Sequence, residues 1–279
     1  MIVMVSGNEA LYSNRFKKWL KAKQKVLLLG TLFLSIFLLI WQIIAMYYPT
    51  KFLRDAAPIQ VASRLIELMI HGDWEGITLV DHTVASFVRV LAGFLVACIS
   101  AVPLGILMGL REEIYGGAKF IIEPIRFIPP IAWIPLVMLL LLGFSRYVFL
   151  IWLGAFFPIL VNTMAGIRRT NPTLIEVATT FGAKKRQIVS KIVIPSALPE
   201  IFAGMRIGLG VGWMCIVAAE MVGGELTGIG KLILKGGTLL QVDVVIAGMI
   251  VIGLVGLMMD WLILVLEKRI FKWRREIRV

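Results

Sequence analysis

Long apolar runs set the first limit on what this chain can fold into. A helix that crosses a lipid bilayer needs about 20 mainly apolar residues, and the windows 26–48, 84–110 and 244–266 reach that length. Of the 279 residues, 59% are hydrophobic and 16% are charged, whereas roughly 25% are charged in an ordinary soluble domain. The sequence therefore predicts an all-α, polytopic membrane protein.

The distribution of basic residues predicts the topology. The net charge of +12 is compatible with nucleic-acid binding, but it also matches the basic cytoplasmic loops of membrane proteins. The N-terminus, the 111–126 loop, the 167–200 segment and the C-terminus hold 21 Lys and Arg residues, against six in the intervening loops. Nucleic-acid binding explains the total but not this alternation. We therefore expect six spans, no nucleic-acid partner, and both termini in the cytoplasm of a multi-pass cell-membrane protein.

These patterns divide the chain into segments. The apolar run that follows the basic N-terminus lacks a small-x-small cleavage pattern, so we interpret it as a retained first span. The predicted segments are a basic N-terminus over 1–25, a first span over 26–48, an external amphipathic segment over 49–82, a core of five spans over 83–266 and a basic tail over 267–279.

The stretch EVATTFGAKKRQIVSKIVIPSALPE, residues 176–200, interrupts the apolar spans. It predicts a short helix as far as Phe181, a break at Gly182 and a second helix that starts at Lys184 and is ended by Pro195. One side of this second helix is apolar and comprises Ile188, Val189, Ile192 and Val193.

An apolar face on a polar loop needs a partner. Lipid headgroups, the chain's own spans and a second protein are the three alternatives. The small residues Ala178, Gly182 and Ala183 favour a protein, because they allow close approach of another backbone.

This stretch resembles the EAA signature of ATP-binding-cassette (ABC) importer permeases. The signature has a Glu-x-Ala start, a glycine after three further residues and an apolar-Pro end, and Val177 is a mild departure from its usual small residue. The positions that match are Glu176, Ala178, Gly182, Ile194 and Pro195. The stretches SFVRVLAGF, PIRFIPPIAWIPL, GAFFPILVNTMAGI and ALPEIFAGMRIGLGVGW are similar to the branch that imports nitrate, sulfonates, taurine or bicarbonate.

The resemblance implies a type I importer permease fold with a cytoplasmic coupling loop at about 168–200. The implied partners are a second permease, most simply an identical copy, two cytoplasmic ABC ATPases, an extracytoplasmic solute-binding protein and the surrounding lipid. The chain has no G-x-x-x-x-G-K-[ST] sequence, so it is expected to bind no cofactor itself and to leave ATP and Mg²⁺ to the ATPases. The implied ATPase-coupling residues are Glu176, Ala178, Gly182, Ala183, Ile188, Ile192 and Pro195.

Four polar residues within or beside the spans are candidates for the transport pathway or its gate. Two interpretations stay open for each of them. Arg126 and Arg206 either attract an anion or serve topology, Asn162 either lines the pathway or bonds between helices, and Glu220 either shapes an external gate or caps a helix. Glycines at 204, 208 and 212 predict close helix packing, either within the chain or at a seam between two permeases.

Several other functions are weighed against the importer subunit. A stand-alone secondary transporter is expected to carry acidic or histidine relays within its spans, and a membrane enzyme is expected to carry a nucleophile motif. Of such acidic residues only Asp260 and Glu220 come close, and both lie near predicted span ends or outer halves. No nucleophile motif of the Gly-x-Ser-x-Gly type is present. His71 and His82 lack an i,i+4 partner or a nearby cysteine, so no metal site is predicted. The cargo stays open between a small oxyanion and an amino acid, a thiamine precursor or another small organic solute.

Overall fold

The computed structural model describes residues 6–47 and 50–270, with side chains from residue 24 onward. The predicted basic tail lies largely outside this range. The chain divides into two compact units, Met1–Arg64 and Leu65–Val279. The first unit contains helix α1 (Ser6–Tyr47), whose part from Gln24 is apolar enough to cross a membrane, followed by the short helix α2 (Lys51–Asp55) and the start of α3 (Pro58–Ile70).

Every regular element among the described residues of the second unit is a helix. Its elements after α3 are α4 (Leu79–Leu110), α5 (Glu112–Arg126), a 3₁₀ turn (Pro130–Trp133), α6 (Ile134–Leu140), α7 (Phe144–Arg168), α8 (Pro172–Thr180), α9 (Lys185–Ile188), a π-helical segment (Val189–Val193), α10 (Ile194–Val222), α11 (Ile229–Thr238) and α12 (Val242–Ile270). Thr78 caps α4, with its side chain accepting the backbone N–H of Asp81 and the Asp81 carboxylate accepting that of Thr78.

The number of membrane spans depends on one bend. Within the described residues, five helices are long and apolar enough to cross a membrane, and a sixth span results if α5 and the segment Pro130–Leu140 are counted together. These two pieces meet at an angle of 82°. Pro129, Pro130 and Pro135 lie at or just after the bend, where each removes a backbone donor.

Helix α7 forms the centre of the second unit, because α4 packs on one side of it and α10 on another. Both contacts depend on glycine. A Cβ on Gly93 of α4 would lie 2.6 Å from the Cβ of Ile151 on α7, and one on Gly208 of α10 would lie 2.9 Å from the Ala155 carbonyl. Gly204 and Gly212 approach α7 in the same way. The glycine row therefore packs within the chain and not at a seam between two copies.

One helix boundary differs from the prediction. Pro195 does not end the helix that starts after Lys184, since α9, the π-helical segment and α10 run on as one stretch, Lys185–Val222. Proline is tolerated in the first turn of a helix. Here Pro195 falls in the first turn of α10, directly after the π-helical segment, so its missing N–H does not break the helix.

Candidate functional site

The loop between α7 and α10 has a well-defined turn. The Asn171 side chain accepts the N–H of Thr173 at 3.0 Å and so caps α8. After α8, Gly182 has φ = +77°, a left-handed conformation that favours glycine. The Ala183 N–H donates to the Ala178 carbonyl at 3.0 Å, and this bond closes the turn. The predicted break at Gly182 is therefore present.

The loop buries one face against the chain's own spans. Ile175, Ala178 and Ala183 pack on a buried cluster that comprises Ile167, Ile188, Val193, Ala197 and Ile201. Ile188 is only 9% exposed, so its side chain faces the membrane helices. The three candidate partners for the apolar face of this helix were lipid headgroups, the chain's own spans and a second protein. For Ile188, the partner is the chain's own spans.

A second apolar face points outward. Leu174 and Val177 are each 50% exposed and Phe181 is 87% exposed. Their spacing places them along one side of α8 and its end. We call these three residues the outer stripe. Beside it, a groove of about 340 Å³ is lined by Phe181, Gly182, Ala183, Gln187, Ile188, Lys191 and Ile192.

The remaining predicted loop residues lie in different settings. Glu176 is exposed on α8, and its backbone carbonyl accepts the Thr180 hydroxyl at 3.0 Å. Ile192 is half-buried and lines the groove. Pro195 is half-buried at the start of α10. Among these three, only Ile192 contributes to the same surface as Gly182 and Ala183.

A buried polar cluster lies at the opposite end of the helices, where α4, α10 and the turn before α11 meet. Glu220 is 1% exposed, and its carboxylate accepts from Arg89 Nη1 at 2.7 Å and from the Gly230 N–H at 3.0 Å. The Ser86 hydroxyl lies 2.9 Å from both carboxylate oxygens. Arg89 also donates to the Thr227 carbonyl at 2.8 Å. Glu220 therefore forms a buried ion pair with Arg89 at this end of the helices.

His82 extends this cluster. Its Nδ1 accepts the Gly228 N–H at 3.0 Å, so the ring proton resides on Nε2, which lies 3.4 Å from the Asp73 carboxylate. Gly228 has φ = +137° and lies against the Glu220 carboxylate. The described residues contain no group of three or more His, Cys, Asp or Glu side chains that could hold a metal ion.

Arg126 and Asn162 line one cavity. It has a volume of about 420 Å³ and lies between the end of α5, α7 and α10. The Asn162 Nδ2 group donates to the Pro158 carbonyl at 2.8 Å, within its own helix. The Arg126 guanidinium lies 5.1 Å from the centre of the Phe127 ring. The apolar part of the wall includes Phe157, Val161, Ile207 and Val211.

Arg206 does not share this cavity. It pairs with Asp260 on α12, with Nη2 at 3.0 Å from Oδ2 and Nε bonded to Oδ1. The two side chains are 44% and 38% exposed. Of the four pathway candidates, the structure therefore brings together only Arg126 and Asn162.

Comparison with known proteins identifies the family. Residues 101–272 match the model of the binding-protein-dependent transport system inner membrane component. The taurine transport system permease protein of Escherichia coli is 33% identical over 97% of this chain and 98% of its own length. The bicarbonate transport system permease protein of Synechococcus elongatus is 33% identical over 92% of this chain and 93% of its own. A Methanocaldococcus jannaschii protein, named as an ABC transporter permease, is 40% identical over 92% and 96%.

This chain belongs to the family of binding-protein-dependent ABC transport permeases. It is a multi-pass inner-membrane transport subunit and not an enzyme, and it works with an ATPase and a solute-binding protein. Sequence reasoning overlooked Arg89, Ser86 and Phe181. Arg89 is a cation within a span, so it belongs to none of the loops whose basic residues were counted. A charged residue within a span itself indicates a functional role or a charged partner. The exposure of Phe181 had no equivalent signal in the sequence.

Proposed function

We propose that the outer stripe docks into a partner ATPase and transmits its movement to the membrane spans. The observation that carries this proposal is the exposure of three apolar residues, Leu174, Val177 and Phe181, on a loop whose other face is buried. An apolar patch exposed on a polar loop marks an interaction site. The adjacent groove gives the same partner a recess beside Phe181.

The loop is built to act as a lever. Because Lys185–Val222 is one helical stretch, a displacement of α8 and α9 moves α10 as well. Ile188 and Val193 attach this stretch to Ile167 at the end of α7. Closure of two ATPases on ATP would then turn α10 and α7 together between inward-facing and outward-facing arrangements. Within this proposal, Gly182 and Ile192 belong to the docking surface, whereas Ile188 and Pro195 belong to the lever. Glu176 is exposed on another side of α8, away from the outer stripe.

The proposed assembly has two permeases and two ATPases. An identical second copy is the simplest source of the other half of the pathway, and ATP with Mg²⁺ is bound by the ATPases. The loop and both termini lie in the cytoplasm in this arrangement, as the uneven distribution of basic residues favours. The solute-binding protein then meets the opposite end, where the Glu220 cluster lies.

The first experiment is cysteine crosslinking in native membranes, from Phe181→Cys to cysteines in the partner ATPase. We expect a crosslink whose yield changes when ATP is added. Thr179→Cys is the matched control, since Thr179 is exposed on the same helix but lies roughly 160° around it from Phe181. Ile188→Cys is a second control, because its side chain is buried. Equal crosslinking from Thr179 and Phe181 would contradict the outer stripe as the docking surface.

A second experiment tests the turn at Gly182. No atom lies within 4 Å of a Cβ built at this glycine, so a substitution acts through the backbone alone. Gly182→Val should uncouple ATP hydrolysis from uptake, because a β-branched residue disfavours positive φ. Gly182→Asn should retain most uptake, since asparagine tolerates that conformation. Normal uptake by the valine variant at normal expression would argue against a role for the turn.

For the cargo we propose a small oxyanion of the nitrate, sulfonate, taurine or bicarbonate kind. The support is the similarity to permeases named for taurine and bicarbonate transport. An amino acid, a thiamine precursor or another small organic solute is the alternative. Uptake of each labelled compound into proteoliposomes that contain the complete importer and its binding protein separates these classes. ATP-dependent uptake of an amino acid but of no oxyanion would replace the first proposal by the second.

A further inference from the structure

The cavity beside Arg126 lies well inside the length of the spans. Its lining residues on α7 fall between Leu153 and Asn162. At 1.5 Å per residue, Leu153 lies about 14 Å from the Phe144 end of that helix, and Asn162 lies about 9 Å from its Arg168 end. Ile207 on α10 also lines it and lies about 22 Å from the Val222 end. The hydrocarbon core of a bilayer is about 30 Å thick. The cavity is therefore at membrane depth. Arg126, which was counted above with the basic 111–126 loop, then lies within the bent span and not in a cytoplasmic loop.

Arg126 differs from Arg89 and Arg206, which lie in the interior of the candidate spans α4 and α10. Arg89 pairs with Glu220, and Arg206 pairs with Asp260. Among the described residues, no carboxylate lies within ion-pair distance of Arg126, whose close contact is the ring of Phe127. A cation at membrane depth is costly without a counter-charge. A bound anion would supply the counter-charge that the chain itself does not.

The rest of the wall indicates what kind of anion fits. Asn162 Nδ2 carries two N–H groups and uses one of them on Pro158, which leaves the second for a ligand oxygen. The lining also includes the apolar residues Phe157, Val161 and Val211. A volume of about 420 Å³ exceeds what a single inorganic oxyanion needs. A ligand with an anionic head and a short alkyl chain can contact both the polar donors and the apolar lining.

We propose that this cavity is a transit site for short-chain organic anions, with Arg126 and Asn162 binding the anionic head and the apolar wall binding the chain. The inference rests on the proposed function and narrows its cargo, because it favours alkanesulfonates over bicarbonate. Arg126 acts as a binding residue. Asn162 adds a directional donor.

The test measures protection of a cysteine from chemical modification. The permease, with Cys98 and Cys215 replaced by alanine and with Val161→Cys, is reconstituted with its ATPases in lipid nanodiscs. The rate of methanethiosulfonate modification of that cysteine is then measured with ethane-, butane- and hexanesulfonate and with bicarbonate. We expect butanesulfonate to slow the modification at least fivefold. The sulfonate concentration that gives half-maximal protection should fall about two- to fourfold per added methylene. Bicarbonate at equal concentration should not slow the modification.

Substitutions at the cationic position complete the design. Arg126→Gln should abolish protection, and Arg126→Lys should retain part of it. Lys119→Gln is the matched control, because Lys119 is a half-buried cation on the same helix, α5, and does not line the cavity. Protection that persists in Arg126→Gln, or that is absent with every sulfonate, would overturn the proposal. Protection that follows only the anionic lipid content of the nanodisc would assign the cavity to a lipid and overturn it as well.

The crosslinking experiment in native membranes separates this proposal from the coupling proposal. Crosslinking of Phe181→Cys to the ATPase does not depend on the cavity. A normal crosslink without sulfonate protection refutes the transit site alone. Protection without a crosslink supports the site and refutes the docking surface.

Discussion

The two sides of helix α10 are built for different purposes. One side carries Gly204, Gly208 and Gly212, which bring α10 close to α7, and ends in the buried Arg89–Glu220 pair. The other side is exposed along its length, at Ala203, Arg206, Ile207, Gly210 and Met214. The first side packs α10 against α7 and α4 of the same chain. The second leaves it open to a ligand, a second copy or lipid.

The two ion pairs of α10 follow the same division. The side chains of Arg89 and Glu220 are 9% and 0% exposed and every carboxylate oxygen has a donor. Those of Arg206 and Asp260 are 44% and 38% exposed. A buried pair is costly to break because the remaining charge stays desolvated, whereas an exposed pair contributes little. The burial of a pair, and not its presence, decides its contribution to stability.

The largest expected effect is at Glu220. Glu220→Gln leaves Arg89 buried without a counter-charge, so we expect the free energy of unfolding to fall by about 3–5 kcal/mol. The measurement is thermal unfolding of the purified chain in detergent, followed by tryptophan fluorescence. Glu225→Gln is the matched control, because Glu225 pairs with Arg146 at 2.7 Å but is 37% exposed, and its loss should cost at most about 1 kcal/mol. Similar losses for both variants would remove the distinction between buried and exposed pairs.

The glycines give the second comparison. Gly208→Ala places a Cβ 2.9 Å from the Ala155 carbonyl, so we expect a loss of about 1–3 kcal/mol from overpacking. Gly210, two residues further along α10, has no atom within 4 Å of such a Cβ. Gly210→Ala should therefore stabilise the helix by about 0.5–1 kcal/mol. The same unfolding experiment measures both, and equal destabilisation would show that the open side is packed in the isolated chain.

Features set by local physics were predictable from the sequence. The apolar windows gave the spans because bilayer thickness fixes their length, and the helix break at Gly182 followed from its neighbours. The helix end predicted at Pro195 was wrong, because it rested on a local rule alone. That rule does not foresee the π-helical segment before Pro195, after which the helix continues as α10. The helical spacing of apolar residues after Lys184 likewise predicted that Ile188 lies on an apolar face. It did not predict what that face packs against, which is the cluster with Ile167 and Ile201.

Features set by distant residues were not predictable. Arg89 and Glu220 are 131 positions apart, and no periodicity connects them. The four-residue spacing of glycines on α10 predicted a close contact, but not that α7 would be its partner. The pairing of Arg206 with Asp260, and the absence of such a carboxylate near Arg126 among the described residues, became visible only when α5, α10 and α12 were placed.

The smallest expected effect is at the exposed pair. Arg206→Gln, Asp260→Asn and the double variant form a thermodynamic cycle, and we expect a coupling of about 0.5–1 kcal/mol in the isolated chain, after allowance for screening of side chains this exposed. If a second copy covers this side of α10 in the assembled importer, the pair loses solvent there and the coupling should increase. Measuring the cycle in both preparations therefore reports on what covers the open side. A coupling already as large as that of Arg89 with Glu220 in the isolated chain would contradict the division of α10 into a joined and an open side.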